Sequence, residues 1–192
     1  MKLESKRYYG KSYDIDNYKS AQIKRHSIKS SKKRKSLFYR EVSEVILTSH
    51  DVDKQKTMLA LGSRNNHERD CFKNYLHCRV FSSDISPASK TDFIIDFNFM
   101  PDEWKDKWDI IYSNSIDHTI NPTKSYKDWL ACLKLGGLLV IGFLEGGVPS
   151  SHDCSIFSIS NVEAFFKKQE NIEILQIKEI SGYHHFYLKR VK

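Results

Sequence analysis

What this chain has little of narrows its reading first. Its four cysteines, Cys71, Cys78, Cys132 and Cys154, form no CxxC pair, and Cys71, Cys78 and Cys132 fall in segments that read as helix. Neither a zinc cage nor a disulfide framework is expected from such spacing. No apolar stretch follows the N-terminal lysines as a secretory leader would require, and the longest apolar run, GLLVIGFL at 137–144, is far short of the roughly 20 residues a spanning helix needs. The expectation is a cytoplasmic protein without a membrane span. Glycine is missing where it would be most informative. In MLALGSRNNHERDCF, residues 58–72, an apolar run opens into a polar helix start as in a nucleotide-binding βαβ unit, yet only Gly62 stands where such loops carry two or three glycines.

What is present is charge, unevenly placed. Residues 1–40 hold thirteen Lys and Arg against Glu4, Asp14 and Asp16, a net +10, so the overall +7 leaves −3 for residues 41–192. The chain divides accordingly into a basic N-terminal extension, 1–40, dense in KRHSIKSSKKRKS, and a mildly acidic body, 41–192, long enough for one domain with a substantial core. The basic run suits nucleic acid, an anionic surface or a polyanionic substrate, and equally a solvated arm.

The body alternates strand and helix patterns. LFYREVSEVILT reads as helix. TMLALG is a continuous apolar run fit for a central parallel strand buried on both faces. NNHERDCFKNYLH follows as helix, with Asn65 or Asn66 as N-cap and Glu68 in the first turn. RVFSSD, DFIIDF and WDIIYSNS read as strands, TKSYKDWLACLK as an amphipathic helix stopped by Gly136 and Gly137, and GLLVIGFL as the fifth strand. SNVEAFFKKQ reads as helix. IEILQIKEIS and YHHFYLKRV then lie too close together for a crossover and must form an antiparallel hairpin. The fold class expected is α/β: a doubly wound, Rossmann-like sheet of seven strands, mostly parallel, with an antiparallel C-terminal hairpin.

This order, with a glycine loop after the first strand, an acid closing the second, IIDF closing the third and then DIIYSNSIDHTINP and CLKLGGLLVIG, resembles the class I S-adenosylmethionine-dependent methyltransferases over residues 56–191. Leu135 stands where the family's LKPGG turn has proline. The loop LGSRNNHERDCF departs from the usual D/E-x-G-x-G-x-G but is similar, at Gly62, Arg64, Asn65, Glu68 and Phe72, to LG-x-R-N-G-x-E loops of a branch acting on sugars and related polar metabolites. A dinucleotide loop needs glycines for close approach to pyrophosphate. S-adenosylmethionine has no phosphate, so one sharp turn at Gly62 suffices, with an asparagine at 65 or 66 tolerating positive φ.

The resemblance implies S-adenosylmethionine as cofactor, held by Gly62, Ser63, Arg64, Asn65 and Glu68 of the loop, by Asp84 and Ile85 after the second strand, by Asp96 and Phe97 after the third, and by Ser113, Asn114 and Ser115 after the fourth. Asp84 would accept from both ribose hydroxyls, Asp96 would sit by the exocyclic amine of adenine, and Phe97 or Phe99 would border the ring. Asp117 and His118 come at the mouth where an acceptor would approach, and His118 could take a proton from a hydroxyl at neutral pH. His152 and Asp153, in a later loop, form a second candidate pair. The extension is a candidate lid. No metal site is expected: His184 and His185 are adjacent in a strand and face opposite ways, and His67 and Cys71, one helical turn apart, have no evident third ligand.

The implied activity is methyl transfer to an acceptor hydroxyl, on a sugar or glycan by the loop resemblance, with a small molecule or glycan as partner. Two alternatives stand beside it. One is an RNA or DNA methyltransferase gripping phosphates with the basic arm, although SNSID replaces the N/D-P-P-Y/F motif of amino methylation. The other is an inactive binding module of the same fold. Oligomeric state is not legible in the sequence.

Overall fold

The computed structural model describes residues 6–7, 15–27, 36–150 and 153–192. In chain order its elements are β1 (Lys6–Arg7), α1 (Ile15–Ser27), α2 (Ser36–Ser49), β2 (Thr57–Leu61), α3 (His67–Leu76), β3 (Arg79–Asp84), β4 (Phe93–Ile94), β5 (Trp108–Ser113), α4 (Pro122–Cys132), β6 (Leu133–Leu144), β7 (Ser155–Ile156), α5 (Ile159–Phe166), β8 (Ile172–Ile180) and β9 (Tyr183–Arg190). The main sheet has seven strands in the order β4-β3-β2-β5-β6-β9-β8, parallel from β4 to β6, with β9 antiparallel to both β6 and β8. This is the expected sheet with its C-terminal hairpin. β1 and β7 make a separate antiparallel pair, tying the start of the chain to the segment after β6.

Side-chain alternation builds the core. Leu59, Ile111, Leu139, Ile141, Phe186 and Leu188 point to the face covered by α4 and α5 through Tyr126, Trp129, Val162 and Phe165. Met58, Ile110, Tyr112, Leu138, Val140 and Tyr187 point to the other, under Phe38, Val42 and Ile46 of α2 and Phe72 of α3. A strand sandwiched this way must be apolar at nearly every position, which is why TMLAL and LLVI carry no polar alternation. His184 and His185 do face opposite ways: His184 lies beside Phe143, His185 is fully buried beside Phe38 and stacks on Tyr112. The β8–β9 turn is Ser181–Gly182, with φ of 51° and 82°, the paired left-handed geometry of a two-residue hairpin.

Asp109 fastens the starts of three neighbouring strands. Its Oδ2 accepts from Thr57 N and Thr57 Oγ1, both at 2.9 Å, and both its oxygens accept from Lys134 Nζ. Burial works against its charge, but these bonds outweigh burial and hold the carboxyl below the usual aspartate range.

Three local expectations are corrected. The third strand, expected through residue 97, is only Phe93–Ile94, because Asp96 turns the chain: its Oδ1 accepts from Asn98 N at 3.0 Å and its carbonyl from Phe99 N at 2.9 Å. α4 stops at Cys132 and the chain passes straight into β6, ahead of Gly136 and Gly137. Asp106 N and Lys107 N take the last carbonyls, those of Ala131 and Cys132, at 3.0 Å each. Asn66, one of the two expected positions, is the N-cap of α3: it is left-handed and its carbonyl accepts from Asp70 N at 2.9 Å, while Asn65 Oδ1 accepts from His67 N at 3.2 Å. Cys78 lies beyond the end of α3 rather than in helix; it, Cys71, Cys132 and Cys154 are buried thiols that form no disulfide. Among the described residues no helix is long and apolar enough to cross a membrane. α2 runs through residue 40, where the composition changes.

Candidate functional site

The carboxyl ends of β2, β3 and β5 converge where an open parallel sheet leaves a crevice. There a cleft of about 420 Å³, solvent at its mouth included, is lined by Gly62, Arg64, Asp84, Ile85, Asp96, Phe97, Ser115 and His118, together with Tyr18 and Gln22 of α1. Eight of the sequence-predicted residues therefore share one wall, although they come from four separate segments.

Gly62 shapes the floor. Its φ is 74°, and a Cβ there would lie 3.0 Å from Ser115 Oγ and 3.3 Å from Phe97 Cε1. Both the backbone conformation and the close approach therefore demand glycine. Ser63 N donates to Ser83 O at 2.9 Å, so the loop continues the β2–β3 pairing past the strand ends. Asn66, at φ 61°, joins the loop to β3 and to the β3–β4 connection: its Oδ1 accepts from Ser82 Oγ at 2.7 Å and its Nδ2 donates to Lys90 O. Beneath the loop, buried Glu68 accepts from Asn114 Nδ2 at 3.2 Å, and Asn114 Oδ1 accepts from Ser115 Oγ at 3.2 Å. Ser63, Glu68, Ser113 and Asn114 thus back the cleft, and Asn65 sits at the start of α3.

Two carboxylates face the cleft in different states. Asp84 is 2% exposed, and its Oδ1 accepts from Ser86 N at 2.8 Å. Burial pushes its carboxyl up to about 6, against the opposing pull of that bond and of the Arg64 and His118 charges. Asp96 uses Oδ1 for Asn98, while its Oδ2 is buried with no hydrogen-bond partner among the described residues. A buried carboxylate oxygen left unmatched costs free energy until a donor arrives. Phe97 packs edge-on against Trp129 at 5.7 Å and borders the cleft, whereas Phe99 is 46% exposed beneath Lys124.

At the mouth the structure joins two candidates that lie far apart in sequence. His118 Nδ1 is 3.6 Å from Asp153 Oδ1, and its Nε2 is 3.8 Å from Asp117 Oδ1. One donor atom from each of the three residues falls within 4.8 Å of the others. Asp153 is brought there by the β1–β7 pairing and by Ser155 Oγ donating to Thr119 O at 2.8 Å. His152 lies outside the described residues. Cys71 Sγ lies 3.8 Å from both His67 Nε2 and Ser36 Oγ, and the His67 ring packs edge-on against Tyr39.

Sequence reasoning missed Tyr18 and Gln22, both buried, and Asn98 behind them. The available signal was the i, i+4 spacing of Tyr18 and Gln22, which puts them on one helical face amid polar residues.

No protein-family model and no curated protein sequence matches the chain. Among solved structures it is similar to geranyl diphosphate C-methyltransferase from Streptomyces coelicolor A3(2), crystallised with Mg2+, geranyl-S-thiolodiphosphate and S-adenosyl-L-homocysteine (TM-score 0.71, 10% identity, 94% of this chain and 100% of that one). It is similar also to 1,6-didemethyltoxoflavin-N1-methyltransferase from Burkholderia thailandensis with its substrate and S-adenosylhomocysteine (TM-score 0.68, 12% identity, 98% and 95% covered). A third is the 4+2 cyclase SpnF (TM-score 0.64, 12% identity, 79% and 80% covered). The chain has the Rossmann-like fold of the class I methyltransferases. At such identities the likeness concerns fold alone, and the cyclase is a reminder that one fold carries several reactions.

Proposed function

We propose that this protein is a methyltransferase that uses S-adenosylmethionine to methylate a hydroxyl of a small polar acceptor, a sugar or glycan in the first instance. The observation that carries the reading is the pairing of Asp84 and Asp96 in one cleft over a glycine that tolerates no Cβ. Asp84 would accept from the ribose hydroxyls. The unmatched Oδ2 of Asp96 fits the exocyclic amine of adenine, and Phe97 would lie along the ring. Arg64 suits the carboxylate of the methionine portion, beside the backbone of Ser63 and of Ser113, Asn114 and Ser115. When bound, S-adenosylmethionine supplies an activated methyl group on a sulfonium, so the protein must chiefly align the acceptor, exclude water and remove a proton.

His118 is the group for that last task. Its two ring nitrogens face the Asp117 and Asp153 carboxylates, which would stabilise the imidazolium formed when the hydroxyl proton is taken up. Tyr18 and Gln22 make the acceptor side of the cleft polar, which favours a hydroxylated acceptor over a prenyl chain such as that of the Streptomyces enzyme. The arm would act as a lid through α1. Calorimetric titration with S-adenosylhomocysteine and S-adenosylmethionine, followed by mass analysis of products from a panel of nucleotide sugars, tests the reading. Micromolar binding and a mass gain of one methyl group support it, and absence of any binding removes it. Cofactor binding with methylation of RNA alone, steeply weakened by salt, would transfer the activity to the nucleic-acid reading.

A further inference from the structure

Asn98 is buried, 4% exposed, and every hydrogen-bonding position of its side chain is in use. Oδ1 accepts from Ile120 N at 3.0 Å and from Ser125 Oγ at 3.2 Å. Those two donors fix which way the amide faces, so Nδ2 must supply the other two bonds: to Asp96 Oδ1 at 3.0 Å and to Tyr18 OH at 2.9 Å. Having accepted from Asn98, the Tyr18 hydroxyl donates its proton to His118 O at 3.1 Å. A single directional chain therefore runs from the candidate adenine acid through the arm helix to the backbone of the candidate base.

We infer that Asn98 is a positioning residue that couples cofactor binding to docking of α1 over the acceptor mouth. The inference rests on the methyltransferase reading through Asp96 and deepens it by assigning a coupling device that the reading alone does not require. Among the described residues Asp96 Oδ2 lacks a partner. A ligand N–H placed there removes the cost of that buried oxygen and holds the plane of the carboxylate where its other oxygen meets Asn98. Asn98 then keeps Nδ2 toward Tyr18, and the Tyr18 hydroxyl reaches His118 O. Without the ligand, the carboxylate gains by tilting its unmatched Oδ2 toward water, which weakens the Oδ1 bond to Asn98 and with it one of the polar anchors of α1. The same bonds set the position of His118, so the arm closes only over a site whose cofactor is in place and whose base is aligned. Coupling of this kind is reciprocal: whatever factor the cofactor contributes to α1 docking, α1 docking contributes to cofactor affinity.

The test measures both sides of that equality on the full chain. Tryptic cleavage at Lys24, exposed on α1, reports the undocked population when opening is fast relative to cleavage. Saturating S-adenosylhomocysteine should slow that cleavage about tenfold in the wild type, within the usual range of site-to-site coupling. Tyr18→Phe, which removes only the hydroxyl, should cut the protection to within about twofold of none and weaken S-adenosylhomocysteine by the matching, roughly tenfold, factor. Asn98→Ala should do the same, and Tyr18→Phe carries the test should that more drastic variant fail to fold. A purely structural role for these residues would lower thermal stability while leaving the protection ratio at its wild-type value, and that result overturns the inference. So does a wild type that binds S-adenosylhomocysteine with α1 cleaved equally fast in its presence and absence. A wild type that binds no S-adenosylhomocysteine removes the proposed function and the coupling together.

Discussion

Replacing Asp84 by asparagine separates a carboxylate kept for a ligand from one that serves the fold. In the free protein, burial raises the Asp84 carboxyl from 3.8 to about 6. The folded state thus holds this proton more tightly than the unfolded chain does. The associated stability is fully present below about pH 4 and is lost as pH rises through about 6. A displacement of about two units corresponds to about 3 kcal/mol, the cost at neutral pH of keeping a nearly inaccessible carboxylate ionised. Asp84→Asn has the same shape, keeps an oxygen for Ser86 N and carries no charge, so it should be more stable than the wild type at pH 8, by about 1–3 kcal/mol, and about equal to it at pH 4.5. For the cofactor the sign reverses. Ribose hydroxyls donating to the ionised carboxylate should fail against a neutral amide, lowering S-adenosylhomocysteine affinity about ten- to a hundred-fold. In the wild type that affinity should also fall as pH drops below about 6, approaching tenfold per pH unit. Urea unfolding at the two pH values and calorimetry at pH 8 read both halves. A variant less stable than wild type at pH 8 with unchanged affinity would refute the reasoning, since Asp84 would then be a structural acid.

Gly62→Ala should cost both stability, by about 1–3 kcal/mol, and cofactor binding, because the added Cβ meets Ser115 and Phe97 and the φ is left-handed; thermal melts and calorimetry on one preparation check it. Asp109→Ala leaves Thr57 and Lys134 without their acceptor and should lose about 2–4 kcal/mol, with no effect on the ratio of bound to free cofactor at saturation. Because the Asp109 carboxyl lies below the usual range, its contribution is present above about pH 4 and lost as pH falls through its folded value, the reverse of Asp84; acid titration of the two variants should show opposite slopes. His118→Asn should reduce kcat about a hundred-fold or more while S-adenosylhomocysteine still binds, and Asp153→Asn should reduce it less. Turnover unchanged in both would mean that no base at this position operates.

How much of this was legible in the sequence depends on how local each determinant is. The succession of strands along the chain and the burial of β2, β5 and β6 follow from continuous apolar runs, and the hairpin follows from a connection too short to cross over, so these could be read off directly. The loop was readable for a similar reason: one glycine at a strand end already implies a sharp turn, and Asn66 does take the positive φ that asparagine allows. Less local matters were read less well. DFIIDF has the composition of a six-residue strand, but its length is set by the Asp96 turn and by Asp92 accepting from Ser82 N at 2.8 Å, a bond to another strand. The end of α4 is set by the amides of Asp106 and Lys107, which precede it in sequence and reach it only in the folded chain. At the mouth, His118 and Asp153 lie 35 positions apart, and each had been paired with its sequence neighbour, Asp117 or His152. Tyr18 was least legible of all. It stands in a segment whose composition is that of a solvated arm, and a basic helix advertises its charge rather than a buried hydroxyl. What makes Tyr18 matter is that Asn98, eighty positions later, has already given Oδ1 to Ile120 and Ser125 and has an N–H left to place. No window on the sequence contains both residues, so the link from cofactor acid to arm exists only in the fold.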